Sequence, residues 1–154
     1  MRKARWADVP SMVTIIERRR AVYETCQPVF WKRAANASAK TKLFYRWLLL
    51  RRSAIMLVAD RGSEVVGFLI ATRARVPPVY DPGGPSMLID DFAVAEADDW
   101  PIVGRALLDG FQSRGRALGC RQVVVVCGAE DAAKTEFLRS TGLRMASTWR
   151  AGVV

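Results

Sequence analysis

The sequence predicts an α/β (α+β) fold: one domain over residues 1–154, with a mixed central sheet of six to seven strands flanked by about four helices. Three observations carry this expectation. Short apolar, β-prone runs alternate with apolar stripes at helical spacing along the whole chain. Residues 54–59 and 64–75 flank the turn Asp60-Arg61-Gly62-Ser63 and read as a hairpin. Residues 87–108 read as a strand running into a helix, with Pro101 suited to a first helical position. At 154 residues the chain is large enough for its own core, and no repeat, low-complexity tract or linker divides it.

Taken in order, residues 1–6 form a first strand and Asp8-Val9-Pro10 caps the next element. Met12, Ile15, Ile16, Arg19, Val22 and Tyr23 trace one stripe of a helix that Gln27-Pro28 ends. Phe30 and Trp31 fall in an irregular segment. After Asn36-Ala37-Ser38 a second helix presents Leu43, Phe44, Trp47, Leu48 and Leu50 as its apolar face. The hairpin follows, with Gly67 a candidate bulge. Residues 77–85, rich in proline and glycine, then interrupt the sheet as a stiff loop. This loop either only fixes chain direction or forms a rigid rim that sets Tyr80 and Asp81 beside the end of the central strand. Strand 87–94 leads into a helix whose face is Val103, Ala106, Leu107, Gly110 and Phe111, closed by Gly119. Residues 121–127 carry a β-branched valine run of the kind buried inside a sheet. Residues 130–140 form a last helix with Ala133, Phe137 and Leu138 inward, and residues 144–153 close the chain as a final strand.

Composition narrows the chemistry. The chain has no histidine, and its three cysteines, Cys26, Cys120 and Cys127, lack metal-ligand spacing. Zinc catalysis and Ser–His or Cys–His nucleophiles are therefore not expected, and neither is a metal. Cys127, at the end of the valine run, reads as a small buried hydrophobe. No apolar run approaches a membrane span, and the basic start of the chain has no apolar segment behind it, so a soluble cytoplasmic protein is expected. The net charge of +9 is concentrated in the N-terminal half, at Arg18-Arg19-Arg20, Lys32-Arg33, Lys40, Lys42, Arg46, Arg51 and Arg52. Such a face could be a solvated helix surface, or it could draw a polyanionic cofactor or nucleic acid. No aromatic-interleaved basic loop accompanies it, so nucleic acid is not the expected partner.

The stretch Ile89-Asp90-Asp91-Phe92-Ala93-Val94, followed by Val103-Gly104-Arg105-Ala106-Leu107-Leu108, resembles the strand, pyrophosphate loop and helix of the GNAT superfamily of N-acetyltransferases. The acid-acid-aromatic form resembles polyamine acetyltransferases in particular. The opening of the chain, the order β-α-α-β-β-β-α-β-α-β, and Phe137 with Gly142-Leu143 also resemble the family, so the likeness spans essentially the whole chain. There are departures. Asp99 stands where the family usually has Arg or Gln, Ile102 where it has a first Gly, and Leu138 where many members carry an acid Tyr.

The resemblance implies direct transfer of an acetyl group from acetyl-CoA to a small-molecule or protein amine, with a carboxylate taking the amine's proton or orienting a water that does. Asp90 matches the acidic strand position, with Asp91 its neighbour. Strand side chains alternate, so the two would face opposite ways unless a bulge intervenes. Backbone groups of Phe92, Ala93 and Val94 would pair with the pantetheine arm, and Trp100, Pro101, Ile102, Val103, Gly104 and Arg105 would meet the pyrophosphate at a helix start. Asp99, as N-cap, would compete for those N–H groups. The two N-terminal helices border the acceptor site in this family, which makes Tyr23, Phe30, Trp31 and Tyr45 candidate substrate walls, with core packing as the other reading, and Tyr80 joins them from its loop. Two alternatives stay open: a GNAT-fold binding or regulatory module with lost or altered cofactor use, and a basic nucleic-acid-associated protein. Exposed sheet edges would suit a homodimer.

Overall fold

Side chains along β2 (Ile55–Arg61) alternate between two apolar layers: Ile55, Leu57 and Ala59 enter one, Met56 and Val58 the other. That is the period of two imposed by an extended chain. β3 (Glu64–Arg73) and β4 (Ser86–Val94) also send side chains into both layers, so the sheet is covered on both faces. α1 (Val9–Cys26) and α2 (Ala37–Leu49) pack on one face, α3 (Arg105–Ala117) and α4 (Ala132–Ser140) on the other. The computed structural model describes residues 1–153; Val154, the last residue of the expected domain, lies outside them.

Among the described residues the sheet has five strands in the order β1-β2-β3-β4-β5, with β1 at Arg2–Lys3 and β5 at Gln122–Val125. The first three pairings are antiparallel, and β4 and β5 are parallel, joined across one face by α3. The expected six to seven strands are thus not reached. Residues 143–153 hold no strand, and Met145, Trp149 and Val153 are exposed. The segment instead runs back past the end of α1, where Trp149 meets Phe30 edge-on at 6.1 Å. β5 is left as a four-residue edge strand with alternating exposure, in place of the interior strand its valines suggested.

α2 also turns differently from its expected stripe. Thr41, Tyr45 and Leu48 face the core, whereas Leu43, Phe44, Trp47 and Leu50 are exposed. The buried set is the true i, i+4, i+7 row. Gly67 lies beside the β2–β3 register slip, and its missing side chain has a packing reason: a Cβ there would come within 2.6 Å of Val103 and 3.3 Å of Leu107. No helix among the described residues is long and apolar enough to cross a membrane.

One ion pair pins the chain start. Arg2 forks onto buried Asp8 at 2.7 and 2.8 Å, Asp8 also accepts the Arg5 N–H at 2.6 Å, and Arg2 reaches Asp60 on β2 at 3.0 Å. The carboxylate therefore turns back to the strand and does not cap α1. Hydrogen bonding from Arg2 holds the Asp8 carboxyl below its ordinary range. Its stabilisation is thus present above the unfolded carboxylate's pKa and lost as pH falls through the lower folded value. Asp8→Ala should lower unfolding free energy by about 2 kcal/mol at neutral pH, and the difference should shrink below about pH 4 in acid-dependent urea melts.

Candidate functional site

The geometry begins with a mismatch between β3 and β4. Leu69 pairs with Phe92 and Ala71 with Ile89, so Ile70 alone opposes both Asp90 and Asp91. This two-for-one bulge resets the alternation: Ile89 and Phe92, three residues apart, enter the same apolar layer. It also meets the condition under which adjacent aspartates can share a site. Asp90 and Asp91 both line a cavity of about 90 Å³ between α1 and the end of β4. Ile16, Arg19, Arg20 and Tyr23 form its α1 wall at helical spacing, Trp31 closes one side, and Phe92, Val126 and Lys134 form the inner end.

The two carboxylates have different surroundings. Asp91 accepts the Tyr45 hydroxyl at 2.8 Å and pairs with Arg20 at 3.3 Å, which itself donates to Thr41 at 2.6 Å. Tyr45 is fully buried, and that burial pushes its pKa well up, so it remains the donor. Asp90 keeps solvent access, but the crowding walls and then the neighbouring Asp91 charge raise its pKa. Tyr23 donates to Asp131 at 2.6 Å, and Asp131 pairs with Arg19 and accepts the Lys134 backbone N–H at 3.2 Å as the cap of α4.

β4 and β5 separate beyond Ile89. Their last bond is Val126 N–H to the Ile89 carbonyl at 2.9 Å, after which the Phe92 and Val126 carbonyls face an opening between the strands. Lys134 fills it: the Nζ donates to Phe92 O at 3.0 Å and to Val126 O at 2.8 Å. The side chain is only 2% exposed and lies by the rings of Phe92 and Trp100. Burial, and next the Arg19 charge, lower its pKa to about 7. The sequence predicts Ala133 inward on this helix. Ala133 is exposed, and the buried row is Lys134, Phe137, Leu138.

The segment after β4 departs from expectation in informative ways. Trp100–Gly104 is a wide π-type turn ahead of α3. The Trp100 ring is buried, stacked on Phe137 at 5.1 Å and edge-on to Phe92 at 4.9 Å. A Cβ on Gly104 would lie 2.6 Å from that ring, so packing alone demands glycine here. Asp99 turns to Arg61 and makes no side-chain cap bond among the described residues. Ile102 is 75% exposed and Pro101 is exposed beside it; Val103 is core, and Arg105 donates to Ser140 O at 3.4 Å. Ala93 and Val94 pair with β3. Trp31 packs on Tyr23 at 5.1 Å at the cavity wall, while Phe30 stands behind Trp31 at 4.7 Å and is not part of the lining. Tyr80 lies exposed in the loop before Ser86 and is not part of the cavity lining, and Asp81 closes a local turn onto Gly83 N–H.

No protein-family model and no curated protein matches the chain. Solved structures do match its shape over nearly its whole length. A variant of the BH1408 protein of Bacillus halodurans has a TM-score of 0.83 at 14% identity, covering 99% of this chain and 98% of its own. A protein of Clostridium acetobutylicum, described as a predicted acetyltransferase and solved with acetyl-CoA, has 0.75 at 12% identity, covering 99% and 94%. The aminoglycoside 6'-N-acetyltransferase AAC(6')-Ig of Acinetobacter haemolyticus has 0.70 at 14%, covering 99% and 94%. The chain therefore shares the fold of these structures, the GNAT fold.

Gly104→Ala should lower stability by about 1–3 kcal/mol through overpacking against Trp100, measured by urea denaturation. Lys134 gives a pH signature of its own. The folded chain gives up this proton near pH 7, whereas the ordinary value is 10.5, so the unfolded chain binds more protons between the two and stability rises with pH. From about pH 7 to about pH 9 the wild type should gain about 2 kcal/mol relative to Lys134→Met.

Proposed function

We propose that this chain is an acyl-CoA-dependent N-acyltransferase that moves an acetyl group from acetyl-CoA to a primary amine by direct attack. The observation that carries the reading is the bulge opposite Ile70, which sets Asp90 in a cavity beside the β4–β5 opening. The chain's residues fit such a co-substrate. Asp99 is turned away to Arg61 and Ile102 points outward, so neither closes the helix start to a pyrophosphate, with Arg105 nearby as a cation. The Phe92 and Val126 carbonyls are the acceptors that amide N–H groups of a pantetheine arm would use. The co-substrate supplies the activated acyl group.

The remaining chemistry falls to the chain. Asp91 is taken up by Tyr45 and Arg20, which leaves Asp90 as the carboxylate to meet the acceptor's ammonium. Asp90, whose raised pKa makes it a better base than an ordinary carboxylate, takes the amine's proton directly or through a water. Tyr23 and Trp31 wall the alkyl part of the acceptor. A cavity of about 90 Å³ admits an amino group on a narrow chain, which suits a small-molecule amine or a lysine side chain. The nucleic-acid reading loses support, because Arg19, Arg20 and Arg33 of the basic half are ion-paired within the chain.

Calorimetric titration with acetyl-CoA should give micromolar binding, and thiol release with a panel of primary amines should identify acceptors. Asp90→Asn should lower kcat/KM by about a hundredfold with the acetyl-CoA Kd unchanged. Because the base must be ionised, the wild-type rate should rise with pH through a midpoint above the ordinary aspartate value. Absence of both binding and thiol release would favour the GNAT-fold binding module, the reading to which the buried Lys134 lends weight.

A further inference from the structure

Resting on the acyl-CoA reading, we propose that Lys134 is a built-in occupant of the acyl-CoA slot, which binds the co-substrate only by displacing this side chain. The opening between β4 and β5 presents two backbone carbonyls with no strand opposite them, and a buried carbonyl demands a donor. Lys134 meets both demands with one group, at 3.0 Å to Phe92 O and 2.8 Å to Val126 O. A ligand that added itself to either strand would need those same acceptors.

The side chain is delivered by a rigid element. Asp131 caps α4 on the Lys134 N–H and is tied to Tyr23 and Arg19 of α1, while Phe137 and Leu138 root the same helix face in the core. Packing alone does not explain a lysine in this place. Its neighbours on that face are apolar, and an apolar residue of similar length would avoid the cost of burying a charge. The side chain also has somewhere to go. Lys134 lines the cavity that holds Asp90 and Asp91, so its amine can leave the carbonyls and swing toward two carboxylates without entering solvent or apolar core. The occupant and its destination therefore connect the co-substrate slot to the amine cavity through a single side chain.

The test is calorimetric titration of coenzyme A into the wild type, Lys134→Ala and Lys134→Met, each first shown by circular dichroism to be folded. Lys134→Ala empties the opening and should bind at least tenfold more tightly than the wild type. Lys134→Met keeps the length but leaves both carbonyls free of a competing donor, and should fall between the two. It also serves as the comparison if the alanine variant does not fold. Equal affinity in wild type and variants would overturn the proposal while leaving the acyl-CoA reading intact. No binding by any of them would overturn both, because removing Lys134 would then have uncovered no site.

Discussion

The extra residue in β4 opposite Ile70 is the constraint on which the site depends. Without it, strict alternation would place Asp90 and Asp91 on opposite faces of a sheet that is covered on both sides, and one carboxylate would be driven into an apolar layer. With it, both reach the α1 cavity, and the phase reset sends Phe92 and Val94 to the α3 side. The same reset acts on the backbone. Ile89 and Phe92 carbonyls, three residues apart, both address the β5 side, the first taken by Val126 N–H and the second by Lys134.

Everything packed around the opening follows from how that second carbonyl is met. β5 is too short and too exposed to continue the ladder, since no further strand supports its outer edge among the described residues. α4 therefore supplies the donor. The ring of Trp100 lies against Phe92 and Phe137 beside the Lys134 amine, and Gly104 clears space for that ring. A glycine that in sequence looks like the remnant of a phosphate loop is held in place by an indole. Side-chain size and backbone reach at this one point thus link the start of α3, the end of β5 and the cap of α4.

Legibility differed by the kind of information each feature needs. The hairpin over Asp60–Ser63, the strand-to-helix passage at Asp90 and Pro101, and the end of α1 near Gln27 were readable because spacing and turn chemistry are local. The turn of α2 was not. Its stripe of Leu43, Phe44 and Trp47 is large and apolar, yet the side that meets the sheet is the one carrying Tyr45, whose hydroxyl reaches Asp91. Lys134 was hidden by its own charge. It sits on the i, i+3, i+4 row with Phe137 and Leu138, and a lysine on such a row is read as solvent-facing unless two free carbonyls are known to await it.

The sequence by itself determined the order of elements as far as α4, the placement of the acidic pair on the central strand, and the lack of histidine that removes the commonest proton carrier, because each depends only on residue type and short-range spacing. Tertiary structure alone decided that the pair shares one cavity, that a lysine bridges two strands, and that residues 143–153 leave the sheet. Those outcomes turn on what stands opposite a residue in space. A bulge is defined by its partner strand, a buried amine by its acceptors, and a strand by an edge on which it has something to bury.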